Sequence, residues 1–407
     1  MAFASGAVTF KRFFVQGNVP QQVDEPLLEQ LASRAIGADS IRTADHTEIG
    51  WTTGEHVLDT QFDFAKNAVA DGAHFGLRID TNKPSTELVR SYQKMNEQTM
   101  LEASGREFLS KAQRREAREQ ALSRADAEAR SGAFRRMKQV PVFWDLKRNE
   151  LYLGTTSTAV ADQLILLFRE TFDLALVPAS SGELAMRWSA LAGETRAFDD
   201  CKPAFFINPP EGADLEGDPA AFTEGRSKDF LGTEWLTWLW YASHVQSPEI
   251  VTRLGHAVTV LFEKSLQLEC AFKLTGSVAI TTDAPSRSTE ATVALAGGKR
   301  PIRVGLQVAS NGQAFSLAVR GDVMHLSSVV LPPPEGANSP RVVFEERIDH
   351  LRDLIEAIDS LYHVFLHRRL SSKWAQTLNS IRSWVASGRP NSSALTEAAA
   401  NPAGAAS

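Results

Sequence analysis

The sequence predicts an α+β fold, and three observations carry that expectation. Strand-like and helix-like stretches interleave through the first half. A long, polar, arginine-rich helical pattern runs from Pro84 to about Arg130. Three consecutive strands, Arg303 to Ala309, Gln313 to Val319 and Val323 to Val329, then form a meander in the second half.

The elements follow in order. A strand over Ala7 to Gln16 precedes a helix over Asp24 to Ile36, with Asp24 suited to the N-cap and Pro26 to the first turn. His74 to Asp80 alternates apolar and polar residues and reads as a strand before the turn Thr81-Asn82-Lys83. The arginine-rich region that follows reads as two helices broken at Gly105, projecting from the core over about 84–138. Val140 to Leu146 and Glu150 to Gly154 form a hairpin turning at Lys147-Arg148-Asn149, and Ser157 to Phe172 is an amphipathic helix with Val160, Leu164, Leu167 and Phe168 on one face. Ala192 to Ser227, rich in Gly, Pro, Asp and Glu, reads as a mobile insertion.

Beyond it, Thr233 to His244 is helical, and Val258 to Ala271 is either a strand or a buried helix. Asn311-Gly312 marks a type I′ turn within the meander. After Pro332-Pro333-Pro334, one long helix is expected from Arg341 to about Val385, with Ile348, Leu351, Ile355, Ile358, Tyr362 and Phe365 as its apolar stripe. The expected organisation is an N-terminal α+β domain over 1–190, a flexible linker over 191–230, and a second α+β domain over 231–335. A C-terminal long helix over 336–386 and a disordered tail over 387–407 complete it.

Composition narrows the function classes. The chain has 407 residues, of which 43% are hydrophobic and 23% charged, an ordinary globular balance. Met1 to Gln16 sets Lys11 and Arg12 among aromatics without the apolar core of a signal peptide, and the most apolar run, Trp235 to Ala242, is too short to cross a bilayer. Two cysteines, Cys201 and Cys270, make no ligand spacing or disulfide framework, so a reduced, cytoplasmic compartment and no membrane partner are expected. The net charge of −6 argues against a surface that attracts polyanions everywhere, but not against one that confines its positive charge locally.

Enzymatic signatures are missing. Gly298-Lys299 lacks the rest of a phosphate loop, and neither a nucleophile elbow nor a His-Glu-x-x-His motif occurs. His363 and His367 stand four apart on a helix, a metal-ligand spacing, but no third ligand accompanies them in sequence. Asp199-Asp200 and Glu345-Glu346 are adjacent and so point apart. No catalytic residue, metal or cofactor is expected.

The basic pattern says more. Lys111, Arg114, Arg115 and Arg118 fall at i, i+3, i+4 and i+7, one stripe on a helix that can track a phosphate backbone; Arg135, Arg136 and Lys138 extend it past Phe134. Glu107, Glu116, Glu119, Asp126 and Glu128 lie among these charges, so a solvated helix face is the competing reading. Trp235, Trp238 and Trp240 offer a base-stacking platform, although their helical spacing and apolar neighbours favour a core role.

Several short segments, in order, resemble the bacterial recombination-associated protein RdgC family. Ala7-Val8-Thr9-Phe10-Lys11-Arg12 is similar to that family's first strand, Ile49-Gly50-Trp51 to its Met-Gly-Trp turn, and Gly132-Ala133-Phe134-Arg135-Arg136 to its Arg-Ala-Phe-Ser-Arg segment. Leu176-Val177-Pro178, Thr233-Glu234-Trp235, Ser288-Thr289-Glu290 and Gly298-Lys299 continue the correspondence, which covers about 7–331 and rests on colinearity.

The resemblance implies a horseshoe-shaped subunit that dimerises into a ring around double-stranded DNA. It further implies no enzymatic activity, no strong sequence preference, and restriction of RecA-type recombinase access in recombination or replication. A cytoplasmic, nucleoid-associated location follows, and Phe134 takes the place of a residue at the family's subunit contact. Thr282-Asp283-Ala284 stands where the family has a basic Lys-Lys-Gln segment; Arg287, Lys299, Arg300 and Arg303 are the nearby candidates to replace it. Two other readings stay open. One is a scaffold protein of the same fold without DNA binding, and the other is a metal-dependent nuclease.

Overall fold

The computed structural model describes residues 3–43, 47–105, 107–209, 228–253, 255–334 and 339–388. It has the mixed helix-and-strand content of an α+β protein. The chain divides into two compact units. The first comprises Val15–Leu153 and Ser157–Leu176; the second comprises residues up to Phe14, Gly154–Thr156 and everything from Val177 on. This differs from the boundary expected near 190. The chain crosses between units within strand β1 (Val8–Gln16), which local sequence cannot reveal.

In the first unit, α1 (Glu25–Ser33) begins at Asp24, whose carboxylate accepts from the Leu27 N–H. The sheet is built from β2 (Ile41–Arg42), β3 (Thr47–Thr52), β4 (Ala68–Val69), which follows the one-turn helix α2 (Phe64–Asn67), and β5 (Gly72–Thr81). Two helices, α3 (Thr86–Ser104) and α4 (Lys111–Arg130), intervene before β6 (Arg136–Asp145), β7 (Glu150–Leu153) and α5 (Thr158–Phe172). The strands run in the antiparallel order β7-β6-β5-β3-β2.

Apolar faces of α1 and α5 close one side of this sheet. Leu27, Leu31, Leu164, Leu167 and Phe168 are buried, and Trp144 meets Phe168 and Phe172 edge-on at 5.0 and 5.1 Å. Trp51 stands edge-on to Phe75 and donates its indole N–H to Thr171 at 2.8 Å. Its neighbour Gly50 is required by packing, because a Cβ there would lie 2.7 Å from the Ile36 backbone.

Helices α3 and α4 form an antiparallel hairpin broken at Gly105, a left-handed cap at φ 61°. Ala117, Ala121, Ala125 and Ala129 bury themselves against α3, while α3 has no buried residue of its own. Small side chains on one helix and polar ones on the other are what a hairpin standing away from a core requires.

The second unit takes β8 (Ala175–Pro178) from Val177 on, α6 (Ser181–Ala192), α7 (Thr195–Asp199), α8 (Phe230–Tyr241) and β9 (Glu249–Val251). It continues with β10 (Ala257–Cys270), β11 (Val278–Thr281), α9 (Thr289–Ala296), β12 (Lys299–Ser310), β13 (Gln313–Arg320), β14 (His325–Val330), α10 (Pro340–Leu370) and α11 (Trp374–Ser387). Its strand order is β11-β10-β12-β13-β14-β1, with β9 also on β10. The ambiguous stretch from Val258 is therefore a strand, and Asn311 and Gly312, at φ 51° and 78°, make the anticipated type I′ geometry.

Helices α8 and α10 lie on one face of this sheet. Trp235, Trp238 and Trp240 are buried there against Tyr362, Phe365 and Trp384, with Trp240 also meeting Phe262 of β10, so they are core residues and not a stacking platform. The single long C-terminal helix is corrected to two: Ser371 turns extended (φ −84°, ψ 160°) and ends α10. The expected linker is shorter than 191–230, because α7 is helical and 202–205 is pinned. A buried Glu234–Arg369 ion pair (2.6 Å) takes the Ala204 N–H on Glu234 at 2.6 Å and donates from Arg369 to the Lys202 carbonyl at 2.5 Å. The rest of that segment, 210–227, and the tail 389–407 lie outside the described residues.

Burial pushes the His74 imidazole of the first unit and the His325 imidazole of the second down to about 4. Both are neutral in the fold, whereas an unfolded chain takes up the proton near 6.5. The unfolded state thus binds more protons below that pH, and stability is expected to fall between pH 6.5 and 5 by about 2 kcal/mol per imidazole. Urea midpoints at the two pH values check this; equal midpoints contradict it.

Candidate nucleic-acid interface

The predicted contacts fall into two groups, one in each unit. In the first, Ser110 opens α4 with a capping box to Gln113, which starts the helix one residue before Lys111. Lys111, Arg114, Arg115 and Arg118 are then all exposed along one stretch of helix surface. Six basic and four acidic side chains lie on α4, and the pairing decides which cations stay available. Arg115 pairs with Glu119 (2.8 Å), Arg130 with Asp126 (2.7 Å), and Arg124 with Glu128 (3.1 Å) while lying over the Tyr92 ring. Lys111, Arg114 and Arg118 have no ion-pair partner among the described residues.

Where α4 returns to the sheet, Asn82 clamps the connection. Its amide donates to the Ala129 carbonyl and its oxygen accepts from the Phe134 N–H at 3.1 Å. Arg135 turns back to the buried Asp80 (2.6 Å), which Arg78 also holds through two 2.7 Å bonds, so Arg135 is committed to the fold. Arg136 and Lys138 are exposed on the same side of β6, alternate residues of one strand, and neither has an ion-pair partner among the described residues. Phe134 is half-buried at the rim of a cavity of about 280 Å³ lined by Lys83, Ser85, Leu88 and Arg136. It thus sits at the elbow between helix and strand; the distal turn of the hairpin carries Phe108 instead, 75% exposed.

In the second unit, Arg303 is exposed on β12 and donates to Ser327 at 2.8 Å. Arg300 lies on the same strand opposite Glu269. Lys299 bonds to the Thr275 hydroxyl at 2.9 Å and to the Gly276 carbonyl, which ties down the turn between β10 and β11. Arg287 is exposed in a short 3₁₀ turn beside a cavity of about 760 Å³ shared with His244, Asp283 and Gln307, so the four predicted residues do not converge on one point. Comparison with protein-family models and with curated proteins found no match.

The other candidate chemistry has a structural placement. His363 stacks on Trp188 with ring centroids 6.0 Å apart, while His367 is exposed. Among the described residues no group of three or more His, Cys, Asp or Glu stands within reach of one metal ion, and no helix is long and apolar enough to cross a membrane. Glu345 is taken by Arg341 at 3.0 Å.

Proposed function

We propose that this protein is a non-enzymatic, sequence-independent binder of double-stranded DNA, acting in recombination or replication as RdgC does. The observation that carries the reading is the set of exposed, uncompensated cations in the first unit: Lys111, Arg114 and Arg118 on α4, and Arg136 and Lys138 on β6. Side chains of this kind release counterions from a phosphate backbone without reading bases. None of the five is tied to an acid among the described residues, so each is available to a phosphate even though the chain's net charge is −6.

The resemblance supplies the assembly. In this reading a horseshoe-shaped subunit closes with a second copy into a ring that encircles the duplex and limits the access of a RecA-type recombinase at the nucleoid. Phe134, beside its small cavity, supports a self-contact at that position. Neutralising Lys111, Arg114 and Arg118 to Ala tests the reading. The slope of log affinity against log salt should flatten by about 0.9 per lost phosphate contact, equally for unrelated sequences. An unchanged slope assigns α4 to solvent.

A further inference from the structure

We infer that the second unit carries a binding site for a small zwitterion, a free amino acid with a polar side chain, in the cavity lined by α8, β9, α10 and α11. No residue that lines it belongs to the cations assigned to DNA. Helices α10 and α11 also lie beyond the stretch that resembles RdgC.

The cavity holds about 400 Å³, within the range of small-molecule sites. Trp238 and Tyr241 line it from α8 and are only 6% and 7% exposed. Phe365 packs on the first at 5.8 Å and Trp384 on the second at 5.6 Å between ring centroids, so both rings are fixed. Trp235 and Trp240, on the same helix, have their indole N–H groups sealed in the core without a partner. Trp238 and Tyr241 differ. The Trp238 N–H and the Tyr241 O–H are not sealed off, yet neither bonds to any described residue. Buried tryptophan and tyrosine ordinarily satisfy these groups. Here they border an open cavity, and a ligand is the partner that fits.

The backbone is shaped around the same space. After Tyr241 the helix widens into a π-turn over Ala242–Gln246, closed by the Ser247 N–H on the Ala242 carbonyl at 3.0 Å. Such turns are rare and recur at functional positions. This one brings Gln246 and Ser247 to the cavity wall, and Ser247 Oγ accepts from the Glu249 N–H at 3.1 Å, which fixes the start of β9. From α11, Ser380 donates to the Gln376 backbone carbonyl at 3.1 Å, so its oxygen is left as an acceptor.

Charge selects the ligand class. Arg368 of α10 and Glu249 of β9 both border the cavity, and both are exposed. Neither has an ion-pair partner among the described residues, so two opposite charges stand on one cavity without neutralising each other. A molecule that carries both signs meets them best, with its carboxylate on the Arg368 guanidinium and its ammonium on the Glu249 carboxylate. A simple anion gains the arginine but is repelled by the glutamate. The remaining wall, with Gln246, Gln376 and Ser380, suits an amide or hydroxyl side chain over an aliphatic one, because polar groups left facing an apolar ligand lose their water without compensation.

The test records the thermal melt of the full chain with each standard amino acid at millimolar concentration. The one that raises the midpoint most is then titrated by calorimetry, since a ligand that binds only the folded state stabilises it. The expected binder has an amide or hydroxyl side chain. Its deaminated acid and its decarboxylated amine should each bind at least about tenfold more weakly, the loss of one charged hydrogen-bonding partner. Arg368→Gln and Glu249→Gln should each weaken binding by about tenfold or more, while the unliganded melt stays at wild type because both side chains are exposed. No midpoint shift with any amino acid overturns the site. A deaminated acid that binds as well as its parent overturns the zwitterion assignment and makes the ligand a simple anion. Wild-type affinity in both charge variants places the binding elsewhere and overturns the site as drawn.

Discussion

Replacing Glu234 by Ala is expected to destabilise the protein by about 3–5 kcal/mol, the typical cost of stranding one partner of a buried ion pair. The side chain is enclosed on α8, and burial pushes its carboxyl up even with the Arg369 guanidinium beside it. Removing it leaves Arg369 charged and buried, and deprives the Ala204 N–H of its acceptor. Replacing the pair together by apolar residues of similar volume, as in Glu234→Leu with Arg369→Met, should recover most of the loss, because neither charge is then desolvated. Denaturant melts of the single and double variants distinguish these outcomes. A Glu234→Ala protein with wild-type stability contradicts the role given to the pair. The same pair accounts for the glutamate of Thr233-Glu234-Trp235 in this chain: it fastens residues 202–204, and it lies in the core and not on a binding surface.

Phe134→Ala should leave a cooperative melt close to wild type while weakening self-association by about 2 kcal/mol or more, the effect of losing an interface hot spot. The ring is half-buried at a cavity rim, and its backbone is held by Asn82 through a bond that survives truncation. A fully packed core phenylalanine costs about 3–5 kcal/mol of folding stability when cut to Ala. Light scattering across protein concentration, paired with thermal melts, separates the cases. A large fall in melting temperature with self-association unchanged makes Phe134 a packing residue and removes it from the proposed subunit contact.

Local chemistry made much of the fold legible. Asp24, Gly105 and Asn311-Gly312 state their turns and caps directly, because each needs a particular side-chain oxygen or a positive φ. Apolar periodicity placed α5, and the polar character of 84–130 matches a hairpin whose only buried side chains on α4 are alanines. Long-range pairing was not legible. Val8 and Phe10 pair with Val329 and Leu326, and Arg12 binds Asp359 at 2.7 and 2.8 Å, so the first strand belongs in part to the second unit. Nothing local announces a partner more than three hundred residues away.

The candidate site divides the same way. The i, i+3, i+4, i+7 spacing on α4 is a helical property and was readable, but Arg135 was not: its commitment to Asp80 depends on strand register.

The most direct test of sequence-independent duplex binding is a salt titration of wild-type affinity for two unrelated duplexes of equal length. The expected result is the same steep linear fall of log affinity with log salt for both, at about −0.9 per phosphate contact. Affinity that ignores salt, or that depends on which duplex is offered, would contradict it.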